Sequence, residues 1–327
     1  MAVYTHLGAE DLAALISEYD VGELVSAKGI AEGVSNSNWL IETTGSGNEG
    51  ARFILTMYER RIDLAELPFF LGLLDHLAAE HCPVPRTIHD RSGAAFRWLD
   101  GKAVALIEFL PGVSIDRPEA EQAHSVGRAL AGIHLASAGF AMARPNDLGP
   151  ASWSRLAEAC TQEGLARIDP SLPSLVADEL EFLAGHWPEG LPRSVIHADL
   201  FPDNVLMLGA EVSGLIDFYF ACNDITAYDL AVTHAAWCFD NEGRGFRPEI
   251  GSALIAGYES VRPLSHDERA ALPVLARGAA MRFMMTRAED WLNTPADALV
   301  TRKDPLAFAR RLAFYADRGA SAFVAHP

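Results

Sequence analysis

A chain of 327 residues, half of them hydrophobic and 21% charged, can bury a sizeable core and is long enough for two lobes or domains. Its 44 acidic residues outnumber 26 basic ones and leave a formal charge of −18, which disfavours nucleic-acid phosphate and anionic lipid as partners. No run reaches the roughly 18 uninterrupted apolar residues of a membrane span, and the opening segment lacks the basic-then-apolar order of a leader. Cys82, Cys160, Cys222 and Cys238 are scattered and form no CxxC pair. The expectation is a cytoplasmic protein with reduced thiols and neither nucleic-acid nor membrane partners.

In chain order, residues 9–19 have the spacing of a short helix. Residues 32–43 and 52–58 read as strands around a turn rich in Gly45, Ser46, Gly47, Asn48 and Gly50, a β-hairpin. Residues 66–80 repeat apolar side chains at helical intervals and stop before Pro83 and Pro85. Extended stretches return at 94–99 and 103–109. After Leu110-Pro111-Gly112 the pattern changes to helical segments at 118–136, 153–163, 172–187, 225–237, 249–260, 265–292 and 305–318. Only 194–196, 205–208 and 212–218 look extended there. The expected class is α+β, with a small antiparallel-sheet lobe over residues 1–110 and a larger, mainly helical lobe over residues 111–327.

The chemistry concentrates in Val195-Ile196-His197-Ala198-Asp199-Leu200-Phe201-Pro202-Asp203-Asn204-Val205, a polar loop between apolar, strand-like ends that reads H-x-D-x-x-x-x-N. Phosphoryl transfer from Mg-ATP needs a carboxylate to orient or deprotonate the acceptor hydroxyl, and oxygen ligands to hold Mg²⁺ across the phosphates. Asp199 suits the first role and Asn204 the second. Beyond them, Leu215-Ile216-Asp217-Phe218 is a strand ending in a carboxylate, the place for a second metal ligand. Singly, each residue has an ordinary structural alternative as a loop histidine, turn former, strand cap or strand-end acid. Jointly, their order, spacing and strand-loop-strand context favour an ATP-dependent small-molecule kinase. The chemistry needs no imidazole, so His197 is assigned to holding the loop.

The run from His197 to Asn204, followed by Leu215 to Phe218, resembles the catalytic and metal loops of the aminoglycoside phosphotransferase and choline kinase family. The resemblance covers nearly the whole chain and implies a protein-kinase-like two-lobed fold, with ATP and Mg²⁺ as cofactors. The 33–38 stretch resembles the phosphate-covering turn of that family and puts Ser35, Asn36, Ser37 and Asn38 near phosphate. Ile107 to Gly112 resembles the hinge beside adenine, through Glu108, Phe109 and Leu110. Asp224 and Tyr228-Asp229-Leu230 resemble the stretch after the metal carboxylate, with Asp229 assigned to bracing the catalytic loop. Longer runs at 66–78, 197–206, 215–231, 236–240, 261–264 and 277–287 resemble the branch of the family that phosphorylates the γ-hydroxyl of L-homoserine, a step toward threonine. That implies L-homoserine and ATP as substrates, with residues 1–110 the nucleotide-binding lobe and 111–327 the catalytic and acceptor-binding lobe.

The pattern departs from the family at Thr56, which stands where such kinases usually present a strand lysine to the phosphates. A hydroxyl hydrogen bond is weaker than a charge-assisted one, so Mg²⁺, the 33–38 turn or an arginine from elsewhere must offset phosphate charge. A zwitterionic acceptor needs an acidic group and a cationic donor set. Candidates are Tyr219, Asp224, His234, Trp237, Arg282 and Arg287, each with a core-packing or solvent-reaching alternative. Kinases of choline, methylthioribose or an aminoglycoside, and a nucleotide-binding pseudokinase, remain competing readings.

Overall fold

The computed structural model describes residues 7–30, 36–47, 49–59, 63–294 and 302–324. The chain divides into two compact units, Met1–Pro111 and Gly112–Pro327. In the first, α1 (Ala9–Ile16) precedes β1 (Leu24–Ile30), β2 (Asn36–Thr43), β3 (Ala51–Tyr58), α2 (Leu67–Ala79), β4 (Thr87–Ile88), β5 (Arg97–Leu99) and β6 (Lys102–Glu108). The strands form one antiparallel sheet in the order β1-β2-β3-β6-β4, with β5 also paired to β6. Side chains alternate between the two faces of a strand. Leu55, Met57, Val104 and Leu106 therefore share one face, where Trp39 and Ile41 join Leu12, Leu15 and Ile16 of α1 in a buried core. Thr56 faces the other way, directly across from Asn38.

The second unit runs α3 (Ala120–Ala136), α4 (Pro150–Cys160), α5 (Gln162–Ile168), α6 (Leu172–His186), β7 (Arg193–Ile196), β8 (Val205–Leu208), β9 (Glu211–Leu215), β10 (Cys222–Ile225), α7 (Thr226–Trp237), α8 (Pro248–Glu259), α9 (His266–Asn293) and α10 (Leu306–Arg318). Its strands pair as two ribbons, β7 with β10 and β8 with β9. Every residue of α7 is buried. A helix surrounded on all sides by protein needs no polar face, and this one forms the centre of the unit. A capping box starts α9: Glu268 N donates to Ser265 Oγ at 3.1 Å, and Ser265 N donates to Glu268 Oε2 at 2.9 Å. Among the described residues all four cysteines are free thiols, and no helix is long and apolar enough to cross a membrane.

Several element boundaries differ from the sequence expectation, each for a local reason. β1 carries mostly exposed side chains, Val25 among them, and so lacks the alternation that marks a half-buried strand. The segment expected as one helix over 153–163 is two, α4 and α5, broken at Thr161, whose φ of 56° places it in the left-handed region while its hydroxyl caps α5 by accepting from Gly164 N. The strand expected from residue 94 begins at Arg97, because Asp90 Oδ1 gathers Ser92 N, Ser92 Oγ and Ala94 N into a turn. β10 is not among the expected strands, its last residue falling at the start of the helix expected over 225–237, and β4 is only two residues long. The first part of the expected 32–43 strand, with Gly33, Val34 and Ser35, and Asn48 of the hairpin turn lie outside the described residues.

α3 and α8 cross at backbone contact. A Cβ at Gly127 would sit 2.1 Å from Leu254 O and 2.7 Å from Tyr258 N, and one at Gly257 would sit 2.0 Å from His124 O. Gly132, five residues further along α3, has nothing within 4 Å of its Cβ position. Both Gly→Ala changes gain about 0.8–1.0 kcal/mol in helix propensity. Only Gly127→Ala meets a fixed backbone, with an overpacking cost typically of about 1–3 kcal/mol or more. Urea unfolding should accordingly find Gly132→Ala as stable as the parent or more so, and Gly127→Ala less stable; equal midpoints would contradict the close helix crossing.

Candidate active site

At the start of the loop 197–204, the backbone N–H groups that follow strand β7 are gathered on one carboxylate. Asp229, in the first turn of α7 and fully buried, accepts His197 N at Oδ2 (2.6 Å) and Ala198 N at Oδ1 (2.8 Å). His134 Nε2 of α3 donates to Oδ2 at 3.0 Å, and its Nδ1 meets the Tyr258 hydroxyl of α8 at 2.8 Å. Burial works against ionisation of Asp229, but His134 and the loop N–H groups outweigh it and hold the carboxyl below its usual range. With both oxygens engaged, Asp229 fixes the loop's entry; its partner His134 gave no signal in sequence beyond a histidine in an apolar helix.

His197 is completely buried. Its Nε2 faces Ile216 O at 2.9 Å and so carries the proton, which leaves Nδ1 to accept Asp199 N at 3.2 Å. Burial lowers its pKa and keeps the ring neutral. Ala198 takes a left-handed conformation, φ 63°, and its carbonyl accepts from Arg282 Nη1 of α9. Trp237 Nε1, at the end of α7, donates to Leu200 O at 2.9 Å. Two helices, α7 and α9, thus hold the peptide groups of one loop, with α3 behind Asp229.

On that frame Asp199, Asn204 and Asp217 come together. Asn204 Nδ2 donates to Asp199 O (2.8 Å) and to Asp199 Oδ2 (3.2 Å). Ile216 N donates to Asn204 O at 3.0 Å, which sets Asp217 beside the loop, and Asp217 turns left-handed with φ 65°. Desolvation raises the Asp199 carboxyl to about 7; Arg282 and Lys303 oppose the rise, while Asp217 and Asp203 add to it. Asp217 reaches solvent but is densely surrounded, and desolvation with help from Asp203 raises it to about 6. Crowded carboxylates that resist ionisation, next to a buried amide, form a hard oxygen donor set suited to a small divalent cation. The described residues contain no cluster of three or more His, Cys, Asp or Glu side chains able to hold a metal by themselves. A cation with one or two protein ligands completed by phosphate and water fits these residues.

The remaining candidates separate into engaged and available groups. Asp224 is buried, its oxygens taken by Asn146 Nδ2 at 2.6 Å and Arg193 Nη2 at 3.1 Å. His234 Nδ1 meets Tyr315 OH at 2.7 Å within an aromatic cluster of Phe246, Tyr315 and Phe323. Trp237 and Arg282 are committed to the loop. Tyr219 is half-buried in the short turn after Asp217. Arg287 is half-buried, lies over the Phe308 ring at 4.5 Å and, among the described residues, donates to Asp304 O alone, at 3.3 Å.

In the first unit, Thr56 Oγ1 donates to Asn38 Oδ1 at 2.9 Å and Ser37 Oγ donates to Glu59 Oε1 at 2.8 Å. Asn36 Oδ1 is buried with no hydrogen-bond partner among the described residues. Ser35 lies outside them. Glu108 is bound by Arg86 through Nε, Nη2 and the backbone N, each at 3.1 Å, with Phe109 and Leu110 half-buried after it.

Residues 26–264 match the model of a family described as "Phosphotransferase enzyme family". The chain is 50% identical over 322 residues to a homoserine kinase of Rhizobium etli (strain CIAT 652), covering 98% of each. It is 52% identical over 316 residues to a homoserine kinase of Gluconobacter oxydans (strain 621H), covering 95% of this chain and 97% of the relative. Among solved structures it is similar to a spectinomycin phosphotransferase in complex with ADP and spectinomycin, with TM-score 0.71 and 16% identity over 97% of this chain and 100% of that one. An amicoumacin kinase gives 0.67 and 12%, over 98% and 96%. These two likenesses establish the α+β kinase-like fold.

The raised Asp199 has a thermodynamic consequence. The folded chain keeps a proton on Asp199 up to about pH 7, whereas the unfolded chain releases it near 3.8, so stability falls as pH rises through that window. Asp199→Asn removes this decline. In metal-free urea unfolding the variant should match the parent near the lower end of the window and exceed it at about pH 8; a gap that does not depend on pH would overturn the assignment.

Proposed function

The chain belongs to the phosphotransferase enzyme family, and on that premise we propose that it transfers the γ-phosphoryl group of ATP to the γ-hydroxyl of L-homoserine. The products are O-phospho-L-homoserine and ADP, in a cytoplasmic step toward threonine. The observation that carries this reading is the near-full-length identity to homoserine kinases, which runs through both units.

Asp199 is the residue that positions the acceptor hydroxyl. As the hydroxyl oxygen bonds to the γ-phosphorus and the bond to ADP breaks, the acceptor proton passes to Asp199. A carboxylate with a raised pKa is a better proton acceptor than an ordinary one. Phosphoryl-transfer transition states are loose, so orientation contributes at least as much as basicity. His197 and Asp229 support the loop, with His134 behind them. Mg²⁺ would be held by Asn204 and Asp217 and would supply charge neutralisation of the phosphates. Asn36, Ser37, Asn38 and Thr56, with Ser35, are assigned to the phosphate end of ATP, and Glu108, Phe109 and Leu110 to the adenine end. Asp224 has structural partners that already account for both its oxygens, so the acceptor ammonium is not assigned to it.

The deciding measurement is kcat/KM for ATP-dependent phosphorylation of L-homoserine, L-serine, choline, methylthioribose and kanamycin under one condition. L-Homoserine should lead. L-Serine is one methylene shorter, and a misplacement of about 1 Å can cost on the order of 10²-fold in rate; choline and kanamycin lack the carboxylate. If homoserine does not lead, the acceptor assignment is wrong while a kinase of another small alcohol survives. Within the same assay Asp199→Asn should lower kcat about 10²- to 10⁴-fold. Thr56→Ala removes one neutral hydrogen bond, worth about 0.5–1.5 kcal/mol, and should be the milder defect; equal losses would make Thr56 a central phosphate contact.

A further inference from the structure

Two arginines near the catalytic loop lack the ion pairs that buried arginines ordinarily have. Arg311 of α10 is 3% exposed, and its Nε and Nη1 are sealed from solvent with no hydrogen-bond partner. Its one hydrogen bond runs from Nη2 to the backbone O of Asp240, at 2.8 Å. The Asp240 carboxylate is turned to its own loop, where it accepts Arg244 N and Gly245 N. Arg287 of α9 has a single backbone acceptor, and the rest of its guanidinium remains accessible. Among the described residues neither arginine has a carboxylate within ion-pair distance, whereas the similarly shielded Arg262 and Arg277 pair with Glu268 and Glu179. An uncompensated buried charge is costly unless something pairs with it.

The two groups converge on one ring. Arg287 and Arg311 lie 4.5 and 4.3 Å from the centroid of Phe308, on whose other contacts sit Phe283 at 5.0 Å and Phe201 at 6.1 Å. Phe201 is two residues from Asp199. Burial pushes both guanidinium groups down to about 10, the charge of Arg311 adding to the fall at Arg287, and Arg287 is close enough to Asp199 for the two charges to interact. This is a positive, apolar-walled position near Asp199 where, among the described residues, no carboxylate lies at ion-pair distance from either guanidinium, although Asp199, Asp304 and Asp203 attract Arg287 from further off.

We propose that Arg287 receives the carboxylate of the acceptor amino acid and that Arg311, buried behind Phe308, is the second positive charge that makes the position selective for a carboxylate. The inference rests on the homoserine reading and adds to it the residues that discriminate homoserine from uncharged or cationic alcohols. Arg282, the other arginine suggested by the sequence, is excluded because it holds Ala198 O. A guanidinium suits the role because it binds a carboxylate through two parallel N–H groups and stays charged at low exposure. Arg287 is a binding residue and Arg311 a positioning one, since its free N–H groups are walled off from solvent.

The test compares two acceptors, L-homoserine and 3-aminopropan-1-ol, which is the same molecule without its carboxylate. The variants are Arg287→Gln, Arg311→Met, which keeps the buried volume, and Arg311→Lys, which keeps the charge. Arg287→Gln and Arg311→Met should lower kcat/KM for L-homoserine about 10- to 100-fold, the loss expected for a charge-assisted pair, mainly through KM, with KM for ATP unchanged. Arg311→Lys should recover part of the loss. With 3-aminopropan-1-ol the same variants should stay within about twofold of the parent, since no carboxylate is there to lose its partner. Equal losses on both acceptors, or full retention of homoserine activity in Arg287→Gln, would overturn the inference while leaving the homoserine assignment intact. A parent enzyme that does not favour L-homoserine over 3-aminopropan-1-ol would overturn both. Should Arg311→Met fail to fold, the half-buried Arg287→Gln decides alone.

Discussion

A single carboxylate organises the site. Asp229 binds two consecutive backbone N–H groups of the catalytic loop and a histidine from α3, all inside the core. Backbone donors withdrawn from water must find acceptors, and those of His197 and Ala198 both find Asp229, while Ala198 itself is held in a left-handed turn. Strain of that kind persists only where the surroundings fix it. Here the fixing is threefold, with Asp229 on the N–H side, Arg282 on the Ala198 carbonyl and Trp237 on the Leu200 carbonyl. Asp199 is therefore placed by buried groups that lie behind the loop.

The electrostatics around this loop follow from its depth. Desolvation raises the carboxyls of Asp199 and Asp217; Asp217 and Asp203 add to the rise at Asp199 and Asp203 to that at Asp217, and Arg282 and Lys303 only partly offset it. At Arg287 and Arg311 the imbalance has the opposite sign, since among the described residues neither has a carboxylate at ion-pair distance and burial holds both below the usual guanidinium range. A protein of strongly negative total charge thus contains adjacent regions of opposite local deficit. Whole-chain charge bears on solubility and long-range fields, not on the chemistry of a pocket.

The sequence displayed the site's centre more fully than its supports. His197, Asp199, Asn204 and Asp217 are legible because polar residues at fixed spacing interrupt apolar strands, and the long helices of the second unit announce themselves by apolar period. β1 was illegible because an exposed edge strand has no inward face to pattern, and α5 because a single left-handed Thr161 divides a continuous helical signal. The supports are hidden for a different reason. His134 sits 95 residues from Asp229, Tyr258 124 from His134 and Arg311 71 from Asp240, and no local pattern encodes a contact of that range. Asp224 and His234 illustrate the converse: polar residues beside a motif that the fold uses for bracing β10 and for packing α10.

The crossing of α3 and α8 extends the site's reach further than its side chains do. Gly127 lies two helical turns before His134 on the same face, and Gly257 immediately precedes Tyr258, so the backbone contact at the glycines sets the separation of the two residues that back Asp229. Forcing the helices apart there would draw His134 from the carboxylate and slacken the loop at its origin. In any collection of functional variants of this enzyme, these two glycines should therefore tolerate as little change as the aspartates, although neither comes near a reacting atom. Intolerance to substitution at such positions records the mechanical reach of a catalytic loop through its packing, and it would be misread as evidence of contact with ligand.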